Sequence, residues 1–245
     1  MVEKALPAHE AEPRRIYQEI LRFFPENKRI EMARSAEGKI LKALCFDPSY
    51  RIILALIDNL LFGMIHARLV AKYHHSEVGL EKLTRTLNFV SDRAVQRGLF
   101  QNRGSSKNIL NRTFSKLTLF RLHNVASGQE ARQHVMMQAR EALRMKFKQS
   151  TPEQRAYFII TTEGRCLRFF YRIKLGPETS ETLGAYQFTS FILVRNLLVF
   201  PGLPAVVIKG MARSLIIWRN PDFRRRILAH TNCPYDVKRK GGYVR

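Results

Sequence analysis

The feature that most constrains this 245-residue chain is a succession of short helical patterns, each closed by a helix-breaking or capping residue. In Arg14–Phe24 apolar residues recur at mostly helical spacing, and Pro25 ends the run. Ser150–Glu153 is a typical helix start, because a hydroxyl can cap the helix, proline suits its first turn and glutamate its positive end. The best strand candidate, Tyr157–Thr161, has helical flanks that favour helix. The sequence therefore predicts an all-α fold.

Read along the whole chain, these patterns predict fourteen helices and a simple domain plan. The helices are expected at Arg14–Phe24, Lys28–Phe46, Tyr50–Ile57, Leu60–His74, Val78–Phe89, Asp92–Phe100, Lys107–Leu122, Gln129–Lys148, Pro152–Thr161, Arg165–Lys174, Glu178–Phe188, Phe191–Phe200, Leu203–Ile217 and Asp222–His230. We expect a flexible N-terminus over residues 1–12, a single helical-repeat domain over 13–232 and a basic C-terminal tail over 233–245.

Two helical segments share a pattern that indicates an internal repeat. Ile52–Asn59 and Val95–Asn102 each contain an apolar residue, a small residue followed by Leu, and a final Asn, at an offset of 43 residues. Asn suits a helix C-terminus, where left-handed backbone is tolerated. We therefore expect Asn59 and Asn102 at equivalent helix ends, with Ala55 and Gly98 at close helix contacts.

Weaker echoes of this pattern occur elsewhere, including Val194–Pro204 and Phe223–Pro234, where an apolar-Arg pair precedes Leu or Ile and then Pro. The pattern resembles degenerate HEAT-like and leucine-rich-variant repeats of bacterial α-solenoid proteins. That resemblance implies helix pairs stacked into an array, and the 43-residue offset matches the HEAT period of about 40–47 residues. On this basis we expect an α-solenoid.

The positive charge is distributed very unevenly along the chain. Residues 1–50 hold nine Lys/Arg and eight Asp/Glu, whereas residues 51–245 hold 33 and 12, which gives +21 of the total charge of +22. Such a one-sided surface repels itself, and it is most simply explained as a binding surface for a polyanion. The sequence indicates the partner's charge but not its identity.

Basic residues at helical spacing indicate which helix faces would carry this surface. Residues 91–148 contain twelve Lys/Arg and only three Asp/Glu, whereas an ordinary solvated face, the alternative explanation, usually interleaves acids. The candidate nucleic-acid-binding residues are Arg93, Arg97, Arg103, Lys107, Arg112, Lys116, Arg140, Arg144, Lys148, Arg165, Arg168, Arg172, Arg224, Arg225, Arg226, Lys238, Arg239 and Lys240.

The loop Asn102–Asn108 precedes a predicted helix and has two interpretations. Backbone amides at the helix start, with Arg103 and Lys107, could hold one phosphate. Alternatively the segment is a connecting turn in which Ser105 or Ser106 caps the helix. The order of residues is not that of a P-loop.

The sequence contains no pattern typical of a catalytic, metal or cofactor site. The seven histidines are scattered, and three distant cysteines indicate reduced thiols in a cytoplasmic protein rather than a disulfide or zinc site. The N-terminus lacks the apolar region of a secretory signal, and no apolar stretch reaches the length of about 20 residues that spans a membrane. We expect no cofactor and no metal.

Together these features predict a non-enzymatic protein that contacts nucleic-acid phosphates with little sequence specificity. A rigid array suits a regular duplex, which favours DNA over RNA, and the sequence does not indicate an oligomeric state. One alternative is a scaffold for an acidic protein or an anionic membrane surface. A second is a HEAT-like DNA glycosylase, for which Asp58, Asp92, Asp222 and Trp218 are the candidate residues, although they form no matching motif.

Overall fold

The computed structural model describes residues 7–128, 131–170 and 173–241, apart from the side chains of residues 8 and 9. Within these residues the chain is all α-helical and contains no strand, which confirms the predicted fold class. The strand candidate Tyr157–Thr161 lies inside a helix that begins at Pro152.

The chain divides into two compact units, Met1–Ala142 and Leu143–Arg245, where the sequence predicted one domain over 13–232. The helices that begin in the first unit are α1 Ala8–Glu19, η1 (3-10) Leu21–Phe23, α2 Glu26–Ser35, α3 Gly38–Leu44, α4 Tyr50–Ile57, α5 Met64–Tyr73, α6 Glu77–Arg85, α7 Leu87–Ser91, α8 Arg93–Gln101, α9 Lys107–Ser115, α10 Leu119–Ala126 and α11 Gln133–Gln149, which contains the point of division. The remaining helices are α12 Pro152–Thr161, η2 (3-10) Arg165–Phe169, α13 Pro177–Ala185, α14 Phe191–Leu198, α15 Ala205–Arg213, α16 Leu215–Arg219, α17 Pro221–Ala229 and α18 Tyr235–Lys240.

The first unit contains four successive helical hairpins whose helices alternate between two layers. We call the first helix of each hairpin its A helix and the second its B helix. The A helices α1, α3, α5 and α8 pack in that order, and so do the B helices α2, α4, α6 and α9. Each helix therefore contacts the same-layer helices of the hairpins before and after it.

The second unit has the same alternation. Its A helices α12, α13 and α15 pack in order, and its B elements are η2, α14 and α17, with α14 in contact with both others. An ion pair of 2.6 Å between Lys209 and Asp236 ties α18 to α15. Residues 235–240 of the predicted C-terminal tail form the helix α18. At the other end of the chain, α1 begins at Ala8, inside the N-terminal segment that was expected to be flexible.

The hairpins do not follow the predicted 43-residue offset. Successive A helices begin 26 to 30 residues apart in the first unit and 25 to 28 in the second. Asn59 follows a B helix and Asn102 follows an A helix, so their offset spans about one and a half hairpins and is not a period. The structural repeat is the hairpin, shorter than a HEAT period.

Four of the predicted helices are each two α-helices in the structure, and a fifth, Arg14–Phe24, covers the end of α1 and the 3-10 helix η1. The segments expected at Lys28–Phe46, Val78–Phe89, Lys107–Leu122 and Leu203–Ile217 break between α2 and α3, α6 and α7, α9 and α10, and α15 and α16. The apolar period continues across a break, but a local backbone feature ends the helix. Gly38 has φ +55° in the first case, and Thr118 caps the new helix in the third by accepting a hydrogen bond from the Arg121 amide.

Asn59 and Asn102 make the same local contact, although they follow helices of different layers and are not equivalent in the repeat as predicted. The Asn59 amide donates to the carbonyls of Ala33 and Ala36 at 2.9 and 3.0 Å, at the end of α2. The Asn102 amide donates to the carbonyls of Ala71 and His74 at 2.8 and 2.7 Å, at the same register on α5. Each side chain thus caps the preceding helix of its own layer.

Neither asparagine adopts the left-handed backbone that a helix C-terminus tolerates. Asn102 has extended backbone with φ −78° and ψ 131°, and Glu163 is the one described non-glycine residue with positive φ. The side-chain amide, and not the backbone of asparagine, makes the helix end.

Small residues allow helices of the A layer to approach closely. Gly98 on α8 lies against Ala71 on α5, where an added Cβ would be 3.2 Å from the Ala71 backbone. Gly184 and Gly210 make an even closer contact between α13 and α15, because a Cβ at Gly210 would overlap the Gly184 carbonyl oxygen. The predicted close contact at Gly98 is confirmed, and Ala55 is buried in α4.

Candidate nucleic-acid interface

The candidate residues Arg140, Arg144 and Lys148 follow one another at four-residue intervals on α11, and two of them hydrogen-bond to main-chain carbonyls within the protein. Arg140 is half-buried, and its Nε donates to the Ala126 carbonyl at 3.2 Å. Arg144 is also half-buried and donates to the Phe169 carbonyl at 2.8 Å. The helical spacing correctly predicted that these guanidiniums share a helix face. That face packs against other residues of the same polypeptide. Lys148 alone of the three is exposed.

In the first unit, an ion pair joins each pair of neighbouring B helices. The Arg51–Glu26 pair links α4 to α2, the Lys82–Asp58 pair links α6 to α4, and the Arg112–Glu81 pair links α9 to α6, at N–O distances of 3.7, 2.9 and 3.6 Å. The predicted site residue Arg112 is consequently half-buried and paired. Its neighbours in the prediction, Arg93, Arg97 and Lys116, are exposed.

The loop Asn102–Asn108 is a built turn. The Oδ1 of Asn102 accepts from the Gly104 amide at 2.8 Å, and a side chain at Gly104 would overlap the His75 carbonyl. Ser106 caps α9 by accepting from the Ile109 amide at 3.5 Å, which confirms the capping interpretation. Arg103 and Lys107 are exposed beside it.

The second unit presents arginines on three neighbouring B elements. Arg165 and Arg168 lie on η2, Arg195 lies on α14, and all three are exposed. The predicted residues Arg224, Arg225 and Arg226 are exposed on α17. The predicted residue Arg172 lies outside the described residues.

Direct contacts hold these three elements side by side. The Asn196 amide on α14 donates to the Glu163 carbonyl, at the start of η2, at 2.8 Å, and the Ser190 hydroxyl donates to the Glu163 carboxylate at 3.1 Å. The Phe191 ring on α14 stacks on the Phe223 ring of α17 at a centroid distance of 5.3 Å. Exposed arginines therefore occur on three elements that are in contact, and we call this set the arginine surface: Arg165, Arg168, Arg195, Arg224 and Arg226.

Few acidic residues neutralise this surface. Glu163 pairs with Arg165 at 3.2 Å, and Asp222 pairs with Arg225 at 2.8 Å. In the part of the chain that the structure describes, Arg195, Arg224 and Arg226 make no ion pair. The whole second unit holds nineteen Lys/Arg and six Asp/Glu, against 23 and 14 in the first.

Sequence reasoning missed Arg195, because it is the only basic residue of its helix and forms no stripe there. A signal existed, since Arg195 belongs to the apolar-Arg echo of the repeat pattern. The predicted residues Lys238, Arg239 and Lys240 all lie on α18, with the Lys240 ammonium 5.8 Å from the Trp218 ring centroid.

The carboxylates considered for glycosylase chemistry have local roles. Asp58 pairs with Lys82, and Asp222 pairs with Arg225. Asp92 caps α8 and receives two hydrogen bonds from Arg68, whose guanidinium is the main cause of a lowered Asp92 pKa.

Cys45, Cys166 and Cys233 are free and buried, and burial raises the pKa of the Cys166 thiol to about 12. The described residues contain no group of three or more side chains that could hold a metal ion. None of the described helices combines the length and the apolar character needed to cross a bilayer.

Comparisons of the chain with protein-family models, with curated proteins and with solved structures found no match.

Proposed function

We propose that the protein binds nucleic acid through the phosphate backbone, with the arginine surface of the second unit as its main contact. The observation that carries this proposal is the presence of exposed arginines on η2, α14 and α17, neighbouring elements with few acidic partners. Guanidiniums spread over several elements can neutralise successive phosphates along a strand. Contacts to phosphate carry no sequence information, so little specificity is expected.

We further propose that the chain is a degenerate relative of the HEAT-like repeat proteins, with each unit an α-solenoid segment. Its support is the order of same-layer packing, in which each hairpin contacts the hairpins adjacent to it in sequence. The hairpin spacing of 25 to 30 residues, below the HEAT period, is the point on which it departs from that family. Three free thiols fit a reducing compartment such as the cytoplasm.

The proposal is tested by titrating labelled duplexes and single strands of unrelated sequence at several salt concentrations. Binding should be of similar strength for all sequences, and log K should fall with log salt by about 0.9 per phosphate neutralised on a duplex. Absence of binding at about 50 mM salt, where counterion release is most favourable, would reject it.

A matched pair of charge-reversal variants shows whether a defined surface is responsible. Changing Arg195, Arg224 and Arg226 together to Glu should abolish most binding, whereas the same change at Arg15, Arg22 and Lys28, exposed residues of the first unit, should have a much smaller effect. Equal losses from the two triple variants would mean that binding follows total charge and not this surface.

A further inference from the structure

Two phenylalanine rings lie together at the surface of the second unit, at the starts of neighbouring B helices. Phe191 is the first residue of α14, and Phe223 is the third residue of α17. Their centroids are 5.3 Å apart and their planes differ by 11°. Phe191 is 45% exposed, and of the sixteen phenylalanines only it and Phe23 are exposed. The stacked pair is therefore exposed through Phe191, while Phe223 is half-buried, and both rings lie on helices that carry residues of the arginine surface.

An arginine follows each ring by one helical turn. Arg195 is four residues after Phe191, and Arg226 is three residues after Phe223, so each guanidinium lies on the same helix face as its ring. Both arginines are exposed and, among the described residues, neither makes an ion pair. The same order, ring and then cation, is thus repeated on two adjacent helices.

Both helices also begin at this point with a side-chain cap. Ser190 accepts from the Leu193 amide, and Asn220 accepts from the amides of Asp222 and Phe223. The positive ends of two helix dipoles therefore lie near the rings and add to the attraction for an anion. Two acidic residues of these elements, Glu163 and Asp222, are each paired with an arginine.

Resting on the nucleic-acid function proposed above, we propose that this surface binds unpaired nucleotides. A base stacks on the Phe191–Phe223 pair, and the flanking phosphates contact Arg195 and Arg226. In the interior of a duplex both faces of each base are covered by its neighbours, whereas a single strand can offer a base to the rings. Every base has a π-face, which keeps this binding tolerant of sequence.

The combination of groups favours a single strand over the other polyanions. An acidic protein supplies charge but no regular succession of planar groups and anions. A membrane surface rewards the burial of any apolar side chain, aliphatic or aromatic, and does not need a stacked geometry. The alternation of ring and guanidinium matches the alternation of base and phosphate along a strand.

The test compares a labelled single strand of about 12 nucleotides with its duplex, by fluorescence anisotropy of the full chain. Phe191→Leu keeps an apolar side chain of helical preference but removes the π-face, and Phe191→Trp restores one. Tyr235→Leu is the matched control, because Tyr235 is also an exposed aromatic residue at the first position of a helix, α18. Thermal melting of all three variants verifies folding.

We expect the wild-type chain to bind the single strand more tightly than the duplex. Phe191→Leu should raise the Kd for the single strand about tenfold, change that for the duplex less than about twofold, and be rescued by Phe191→Trp. Tyr235→Leu should have no effect on either Kd.

The outcomes separate this inference from the proposed function. If both nucleic acids bind but Phe191→Leu acts no more strongly than Tyr235→Leu, stacking is rejected while phosphate binding stands. If the wild-type chain binds neither nucleic acid, the proposed function fails and this inference fails with it. Binding only to vesicles that contain phosphatidylglycerol would reject both and assign the surface to a membrane.

Discussion

The B layers of the two units pack in the same order but differ in how their charges are paired. In the first unit each new B helix brings a basic residue to an acid on the helix before it, as Arg112 does to Glu81. In the second unit the B elements contribute arginines and few acids, and Arg195, on the central helix, makes no ion pair among the described residues. The comparison indicates that the placement of acids, more than the number of bases, decides where arginines remain without an acidic partner.

The units also differ in how their layers are tied. In the first unit Asn59 and Asn102 are buried and each donates two hydrogen bonds to the end of a neighbouring helix. In the second unit Asn196 is half-buried and donates one such bond, while the A helices approach through Gly184 and Gly210. Two buried asparagine amides thus tie helices of the first unit, and a glycine-to-glycine contact joins two A helices of the second.

The largest difference in the free energy of unfolding is expected when one capping asparagine is removed from each unit, Asn102 from the first and Asn196 from the second. Asn102→Ala strands two buried carbonyls and should lower the free energy of unfolding by about 3 kcal/mol, whereas Asn196→Ala should cost only about 1 kcal/mol. Urea denaturation of both variants measures the two values. Equal losses would show that the capping asparagines of the two units are equivalent after all.

Enlarging a glycine at a close helix contact should, in contrast, destabilise the second unit more than the first. Gly210→Ala forces apart the backbones of α13 and α15 and should destabilise by about 2 kcal/mol, even though alanine favours helix by about 1 kcal/mol. Gly98→Ala meets neighbours at 3.2 Å that can shift slightly, so its net effect should be smaller.

Gly176→Ala is the control for these variants, because nothing lies within 4 Å of its added Cβ and its φ of −63° suits alanine. Thermal melts that rank Gly98→Ala as the more damaging change would overturn the contrast in packing.

The electrostatic contrast predicts a difference in salt dependence. The double change Arg195→Gln and Arg226→Gln should weaken nucleic-acid binding about tenfold and reduce the duplex salt slope by about 0.9 for each lost phosphate contact. The same change at Lys82 and Arg85, which pair with Asp58 and Glu81 in the first unit, should leave the slope unchanged. Titrations at several salt concentrations decide between them.

The smallest expected effect is a pH dependence that originates in the first unit. Burial is the main cause of the lowered pKa of His74; the His75 charge adds to it, while Asp47 opposes it. Below the ordinary histidine pKa the unfolded chain therefore binds a proton at His74 that the folded unit does not bind. The free energy of unfolding should be highest above that pKa and should fall as the pH drops below it. For one such group the slope cannot exceed about 1.4 kcal/mol per pH unit.

Urea denaturation between about pH 8 and pH 5, on either side of the ordinary histidine pKa, measures this slope. His74→Gln should flatten it. An unchanged slope in that variant would point to His66 or His230, whose pKa values burial also lowers.

The sequence was a good guide to what each helix does locally and a poor one to what lies opposite it. Short-range sequence patterns predicted the positions of most helices and the Ser106 cap. They also identified the two similar asparagines, Asn59 and Asn102. The role of Arg140 could not be foreseen, because its partner is a main-chain carbonyl, which leaves no mark in the sequence. The repeat length was wrong because similar asparagines cap helices in both layers, so the pattern recurs without regard to the hairpin period.

The asparagines that cap α2 and α5 come later in the sequence than the helices they cap. The end of α2 is capped by Asn59 and the end of α5 by Asn102, so each helix is completed by a residue that leaves the ribosome about 25 to 30 residues later. At synthesis rates of about 5–20 residues per second, a helix made first waits for some seconds with its terminal carbonyls bonded to water. Helices α2 and α5 are therefore completed only once the next hairpin has been synthesised.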